Sequence, residues 1–226
     1  MEIDDYILIS NTISKDICKQ LVDECNEENR FPAWDTSGGR FPYAGSTINL
    51  TGADAQQYTA KVKRKIKKQE RFKIDTSTKY ATDDQQDILK PSIVKALDEY
   101  QKLCVRNEEY WPWPDGLKTA YWLKEISTVR FNKYLVGAGM DRHYDHIKNA
   151  FDGDRKGGDR KGVPLVSIVG QLNNSEEYEG CKFICRGKII SLGSGDILMF
   201  PSNFMYPHRV SECTKGTRYS FVCWAY

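Results

Sequence analysis

Between Trp122 and Trp224 the chain reads as a succession of short strand-forming runs, Trp122–Tyr134, Pro164–Leu172, Cys181–Arg186, Lys188–Leu192, Asp196–Phe200 and Thr217–Trp224. Gly, Asn, Asp and Pro separate them at the short intervals of a β-sandwich or barrel. The first half has another texture. Tyr6–Ser10 suits a strand, and Asn11 or Ser14 can cap a helix carrying Ile13, Ile17, Leu21 and Val22 at helical spacing. Residues 31–56 read as loops with one strand near 46–50, residues 55–72 as a helix, and 86–106 as a helix or a pair of helices, with Pro91 beginning or breaking it. No Gly/Ser linker separates the halves. The expectation is one domain over 1–226, in which a helical and strand support region (1–120) buttresses a β core (121–226).

With 226 residues the chain is long enough for a sizeable core. Its net charge of +2 argues against a general nucleic-acid coat or a strongly basic membrane binder. Aromatic residues at 12% argue against disorder. No segment approaches the roughly 18 apolar residues of a membrane span. The start, MEIDDYILIS, lacks the basic opening of an export signal, so a soluble cytoplasmic monomer is expected. The cysteines at 18, 25, 104, 181, 185, 213 and 223 follow no CxxC pattern and are expected to be reduced, mostly buried thiols; Cys181 and Cys185 would share one face of a strand.

The chain has three histidines, and two of them are candidates to carry the chemistry. His143 and His146 lie in MDRHYDHIK, and His208 lies in FMYPHRVSE. Residues two apart on a strand share a face, so His143 and Asp145 converge while His146 turns away. With His208 from a later strand they make two imidazoles and one carboxylate. That set occupies one face of a metal and leaves positions open, as in non-haem Fe(II) oxygenases. HxD alone is a common pattern; what adds weight is Arg218 in KGTRYSFVCW, with Ser220 two residues on and on the same face. An Arg fork beside a hydroxyl is built to grip a carboxylate. A metal with open positions and a carboxylate clamp about one strand away suit 2-oxoglutarate, which chelates at one end and is anionic at the other.

These residues resemble the Fe(II)/2-oxoglutarate-dependent oxygenases, nearest the prolyl 4-hydroxylase-like branch and its phage-encoded members. The resemblance runs from about Tyr121 to Tyr226 through RFNKYLVGAGMDRHYDHI, PLVSIVGQLNN, EGCKF, GDILMFPSNFMYPHRV and TKGTRYSFVCWAY. It implies a double-stranded β-helix, a cupin-like jelly roll, with N-terminal helices packed on one sheet. It implies iron on His143, Asp145 and His208, and the distal carboxylate of 2-oxoglutarate on Arg218. Tyr134 and Gln171 fall where relatives line the cosubstrate pocket, and Trp224 matches an aromatic on the site floor. Fe(II), 2-oxoglutarate and O₂ are the implied cofactors, with ascorbate admitted as a further one. The implied reaction splits 2-oxoglutarate to succinate and CO₂ and hydroxylates a C–H bond, with a prolyl residue of a peptide or protein as the implied substrate. Two departures stand out. Cys181 occupies a position where relatives carry a second Gly, a change expected to be neutral. Arg218 stands where several collagen-type hydroxylases have Lys, which weakens a collagen-type substrate and leaves the cosubstrate intact.

Weaker signals remain open. Residues 61–73, KVKRKIKKQERFK, carry eight basic side chains and one Glu, either a solvated helix face or a dock for an acidic or ribosomal partner. The duplicated GDRKG at 153–162 is a loop that either tolerates length or flaps over the site. YWPWPDG (110–116) is either a peptide-stacking rim or core plugging. Arg142, Tyr144, Arg209, Asn203 and Tyr206 either contact substrate or serve surface and packing roles. Hydroxylation of another residue or a small molecule, a non-catalytic jelly-roll binding module and a zinc hydrolase are the rival readings. Asp145 disfavours halogenation, and the lack of a second downstream arginine disfavours nucleobase demethylation.

Overall fold

A strand buried on both faces loses its apolar–polar alternation, and every residue of Val166–Gln171 is buried. The computed structural model describes residues 6–27, 76–105, 123, 125–145 and 164–226. In chain order the elements are β1 (Leu8–Asn11), α1 (Lys15–Asn26), β2 (Ser77–Tyr80), α2 (Asp83–Val105), β3 (Arg130–Tyr134), β4 (Met140–His143), β5 (Val166–Gln171), β6 (Tyr178–Gly180), β7 (Phe183–Cys185), β8 (Lys188–Ile190), β9 (Asp196–Pro201), β10 (His208–Val210), β11 (Cys213–Gly216) and β12 (Arg218–Ala225). A six-stranded sheet has the order β1-β9-β5-β12-β3-β2 and a four-stranded sheet the order β4-β10-β7-β8; β11 and β6 pair as a ribbon. This is the double-stranded β-helix expected. The support region is woven into it, because β1 and β2 both join the large sheet.

The large sheet divides two cores. Phe131, Ile168, Ile197, Met199, Phe221 and Cys223 belong to one with Leu21 of α1 and Leu89, Ile93 and Tyr100 of α2. Val169, Leu198, Phe200 and Val222, one residue out of step, belong to the other with Phe183 and Val210 of the small sheet. Each strand thus sends alternate residues to the helices and to the barrel interior. Gly170 on β5 faces its partner Phe221, and a Cβ there would lie 1.9 Å from the buried ring. Gly170→Ala is expected to destabilise the fold by about 1–3 kcal/mol, measurable by chemical denaturation.

Ser14 caps α1, its side chain accepting from Ile17 N. The helix expected over 86–106 begins earlier, because the Thr82 hydroxyl accepts from Gln85 N while Gln85 Oε1 accepts from Thr82 N. That reciprocal pair is a capping box. Pro91 neither begins nor breaks α2 but lies inside it. Pro91 and Asp87 are both exposed, so the backbone bond that the ring forfeits lies where water replaces it.

All seven cysteines are free, and all but Cys104 are buried. Cys181 does not share a strand face with Cys185. It precedes β7 at φ +48°, directly after Gly180 at φ +74°. The departure from Gly is therefore not neutral for the backbone: a left-handed conformation costs a non-Gly residue about 1–2 kcal/mol. The strand near 46–50, the helix 55–72 with its basic run 61–73, YWPWPDG, Trp122, His146 and the GDRKG duplication lie outside the described residues. Among the described residues no helix is long and apolar enough to cross a membrane.

Candidate functional site

His143 ends β4 and His208 begins β10, and the antiparallel register sets them directly opposite each other. Their ring centroids are 4.3 Å apart. Asp145 lies two residues beyond the end of β4, not on the strand as the period-two argument supposes, yet it reaches both rings. His143 Nε2 is 3.5 Å from Asp145 Oδ1, and His208 Nε2 is 3.6 Å from Oδ2. One ligand atom from each of the three residues lies within 4.8 Å of the others. Ligands at right angles on a common metal stand about 3 Å apart, so small side-chain adjustments close the set.

The tautomers follow from backbone carbonyls, which only accept. His143 Nδ1 lies 2.7 Å from Asp141 O, and His208 Nδ1 lies 3.1 Å from Tyr206 O. Each Nδ1 therefore carries the proton, and each Nε2 turns a lone pair toward Asp145. Two bare imidazole nitrogens and a carboxylate facing one another want a cation between them. Burial pushes the imidazolium pKa of His208 down, which favours the neutral, ligating form. Burial alone would raise the Asp145 carboxyl. The Ser167 hydroxyl, together with the His143 hydrogen bond and the His208 and His143 charges that exist when those rings are protonated, outweighs it and holds Asp145 well below the usual carboxylate range.

Ser167 and Ser202 were not legible as site residues. Ser167 Oγ donates to Asp145 Oδ2 at 2.7 Å and lies 2.8 Å from Ser202 Oγ. Ser167 has one hydroxyl proton and gives it to the carboxylate, so Ser202 must donate to Ser167. The signal available was a lone polar residue inside the apolar run LVSIV. Ser167→Ala is expected to weaken Fe(II) affinity about 10- to 100-fold, read by metal titration, because an unbraced carboxylate swings.

The inward residues of β12 are Arg218, Ser220, Val222 and Trp224. Ser220 registers with Asn132 of β3 and Gln171 of β5, and Trp224 registers with Ser167. One cavity is bordered by the His143–Asp145–His208 set, Arg218, Ser220, Tyr134 and Trp224. Arg218 stands on the sheet facing His208, not on the strand next to it. From Ser167 to Gln171 is about 13 Å of strand, with Val169 between them on the floor, a span that inward-reaching side chains shorten to the scale of a small diacid.

Arg218 is 2% exposed, and no carboxylate among the described residues pairs with it. Its Nε donates to Gln171 Oε1 at 2.8 Å, and its Cζ sits 5.2 Å from the centroid of the Tyr134 ring. Burial raises the pKa of the Tyr178 phenol, and the nearby Arg218 guanidinium partly offsets that. Nη2 is buried without a hydrogen-bond partner, as are Asn132 Oδ1 and Trp224 Nε1, and all three residues border the same cavity. A buried guanidinium with an open edge calls for an anion. The donor set and this orphaned edge fit a divalent metal and a carboxylate ligand.

Other expected contacts are not brought here. Arg142 and Arg209 are exposed and follow the opposite alternation from the histidines beside them. Tyr144 is half-buried and does not border the cavity. Tyr206 is buried and packs against Phe200, and Asn203 Oδ1 accepts from Met205 N in a local turn.

Residues 129–226 match the 2OG-Fe(II) oxygenase superfamily. That match covers less than half of the chain, and it makes this part similar to the domain of 2OG-Fe(II) oxygenases. The chain is 29% identical over 106 residues to a PKHD-type hydroxylase of Idiomarina loihiensis, an alignment covering 45% of this chain and 43% of that protein. The chain thus spans less than half the length of the curated relatives it matches. In fold it resembles a prolyl-4-hydroxylase of Pseudomonas putida (TM-score 0.53, 15% identity, 99% of this chain and 96% of the other). It also resembles a Trichoplax adhaerens prolyl hydroxylase in complex with a hypoxia inducible factor peptide (TM-score 0.56, 14% identity, 98% and 84%).

Proposed function

We propose that the protein is an Fe(II)/2-oxoglutarate-dependent dioxygenase that hydroxylates a prolyl residue of a peptide or protein. His143, Asp145 and His208 hold the iron and Arg218 holds the far carboxylate of 2-oxoglutarate. The observation that carries this reading is the buried, unfilled Nη2 edge of Arg218 in the same cavity as two bare Nε2 lone pairs and a carboxylate. Bound iron supplies O₂ activation coupled to decarboxylation of the cosubstrate. The chain supplies the rest. The carbonyls of Asp141 and Tyr206 hold the imidazoles in the ligating tautomer, and Ser167 holds the carboxylate. Arg218 neutralises the distal acid, and Val169 and Val222 keep the floor between clamp and metal dry. Trp224 Nε1 offers a donor to a substrate carbonyl. The prolyl assignment is supported by the likeness to prolyl hydroxylases in fold and to PKHD-type hydroxylases in sequence, an analogy and not a geometry.

The test is mass spectrometry of proline-containing peptide libraries incubated with Fe(II), 2-oxoglutarate and ascorbate. Gain of one oxygen on proline, matched by succinate release that needs both O₂ and 2-oxoglutarate, is expected. Oxygen gained only on other residues would refute the prolyl reading, and succinate release without O₂ would refute the oxygenase reading.

A further inference from the structure

Arg218 has neighbours whose hydrogen-bond directions are dictated by the backbone around it. Asn173 Oδ1 accepts from Tyr219 N at 2.8 Å, and Asn173 Nδ2 donates to Thr217 O at 2.9 Å. A backbone N–H only donates and a carbonyl only accepts, so the Asn173 amide has one possible orientation. Thr217 and Tyr219 are the residues on either side of Arg218. Gln171 Nε2 then donates to Asn173 O at 2.9 Å and to Asn173 Oδ1 at 3.2 Å, so the Gln171 amide has one orientation as well. Its Oε1 is left to face Arg218 Nε, 2.8 Å away. Gln171, Asn173, Arg218 and Ser220 are all at least nine-tenths buried, so water does not substitute for any of these bonds.

We infer that Gln171 and Asn173 are positioning residues that pin the Nε edge of Arg218 and thereby aim its Nη2 edge into the cavity. This rests on the reading of Arg218 as the cosubstrate clamp. It also changes the role of Gln171, which holds the clamp instead of touching the cosubstrate. The relay runs from backbone to Asn173 to Gln171 to Arg218. Turning either amide would set N–H against N–H at Arg218 Nε and rotate the fork away from an incoming carboxylate.

The test is anaerobic calorimetry of 2-oxoglutarate binding to the Fe(II)-loaded protein, with Fe(II) affinity measured in parallel. Gln171→Glu keeps the shape, turns the Asn173-facing donor into an acceptor and gives Arg218 an internal carboxylate. It is expected to weaken 2-oxoglutarate binding at least about tenfold, the scale of a hydrogen bond to a charged group, with Fe(II) affinity within about twofold of wild type. Asn173→Ala removes the Oδ1 acceptor but leaves the residue-173 carbonyl on Gln171 Nε2, so it is expected to weaken the same binding only about two- to threefold. Both variants binding 2-oxoglutarate like wild type would overturn the inference, and so would equal losses of Fe(II) and 2-oxoglutarate affinity, which a general packing role produces. Wild-type protein that binds Fe(II) but no 2-oxoglutarate would overturn the clamp reading itself, and this inference with it.

Discussion

Arg218→Met is expected to weaken 2-oxoglutarate affinity at least about 100-fold while leaving thermal stability unchanged or higher. Two effects of one substitution separate here. A charge-assisted clamp on a buried carboxylate is worth about 3–5 kcal/mol when one partner is removed, which sets the binding loss. The stability effect has the opposite sign to that of most core mutations. Arg218 is 2% exposed and meets Gln171 and two tyrosines but no carboxylate among the described residues, so its charge is buried at a cost. Methionine fills similar space without that cost. Calorimetric titration with 2-oxoglutarate and a thermal melt on the same preparation check both halves. A melt that falls by many degrees, with cosubstrate affinity intact, would make Arg218 a structural residue.

His208→Ala is expected to abolish turnover and lower Fe(II) affinity by about three orders of magnitude or more. Metal affinity in such a site requires every ligand to be deprotonated and in place before binding. His208 meets both conditions: its ring is held by Tyr206 O, and it is stacked on Phe183 with a centroid distance of 5.5 Å and set edge-on to Phe200 at 4.9 Å. Alanine removes the ligand and leaves a hole between those rings. Metal content after desalting, beside succinate release, gives the answer. The paired control is Arg209→Ala, one residue on and exposed, which is expected to change neither.

The convergence of His143, Asp145, His208 and Arg218 on one cavity was legible because it depends on residue type and strand period. Arg218 opens an apolar, strand-forming run, and the alternation of His208 with Arg209 and of Arg218 with Tyr219 marks the inward side. What a single sequence does not carry is pairing. Ser167, Ser202 and Asn173 act through partners 22 to 46 positions away, as in the Ser167–Asp145 and Asn173–Tyr219 bonds. The short strands β2, β6 and β11 are not legible as separate runs because each is only three or four residues long and set by its neighbour's register. The continuity of α2 through Pro91 was missed because the rule against proline assumes that the lost bond is buried. The left-handed backbone at Cys181 was hidden because a cysteine gives no sign of a positive φ.

One cavity must accept an iron and a diacid together. Anaerobic addition of Fe(II) and then 2-oxoglutarate, followed by visible absorption, tests that most directly. A weak charge-transfer band that saturates at one equivalent of each, and that is lost in Arg218→Met and His208→Ala, is the expected result. Iron that binds without any band on adding 2-oxoglutarate, or a band that survives the loss of His208, would contradict it.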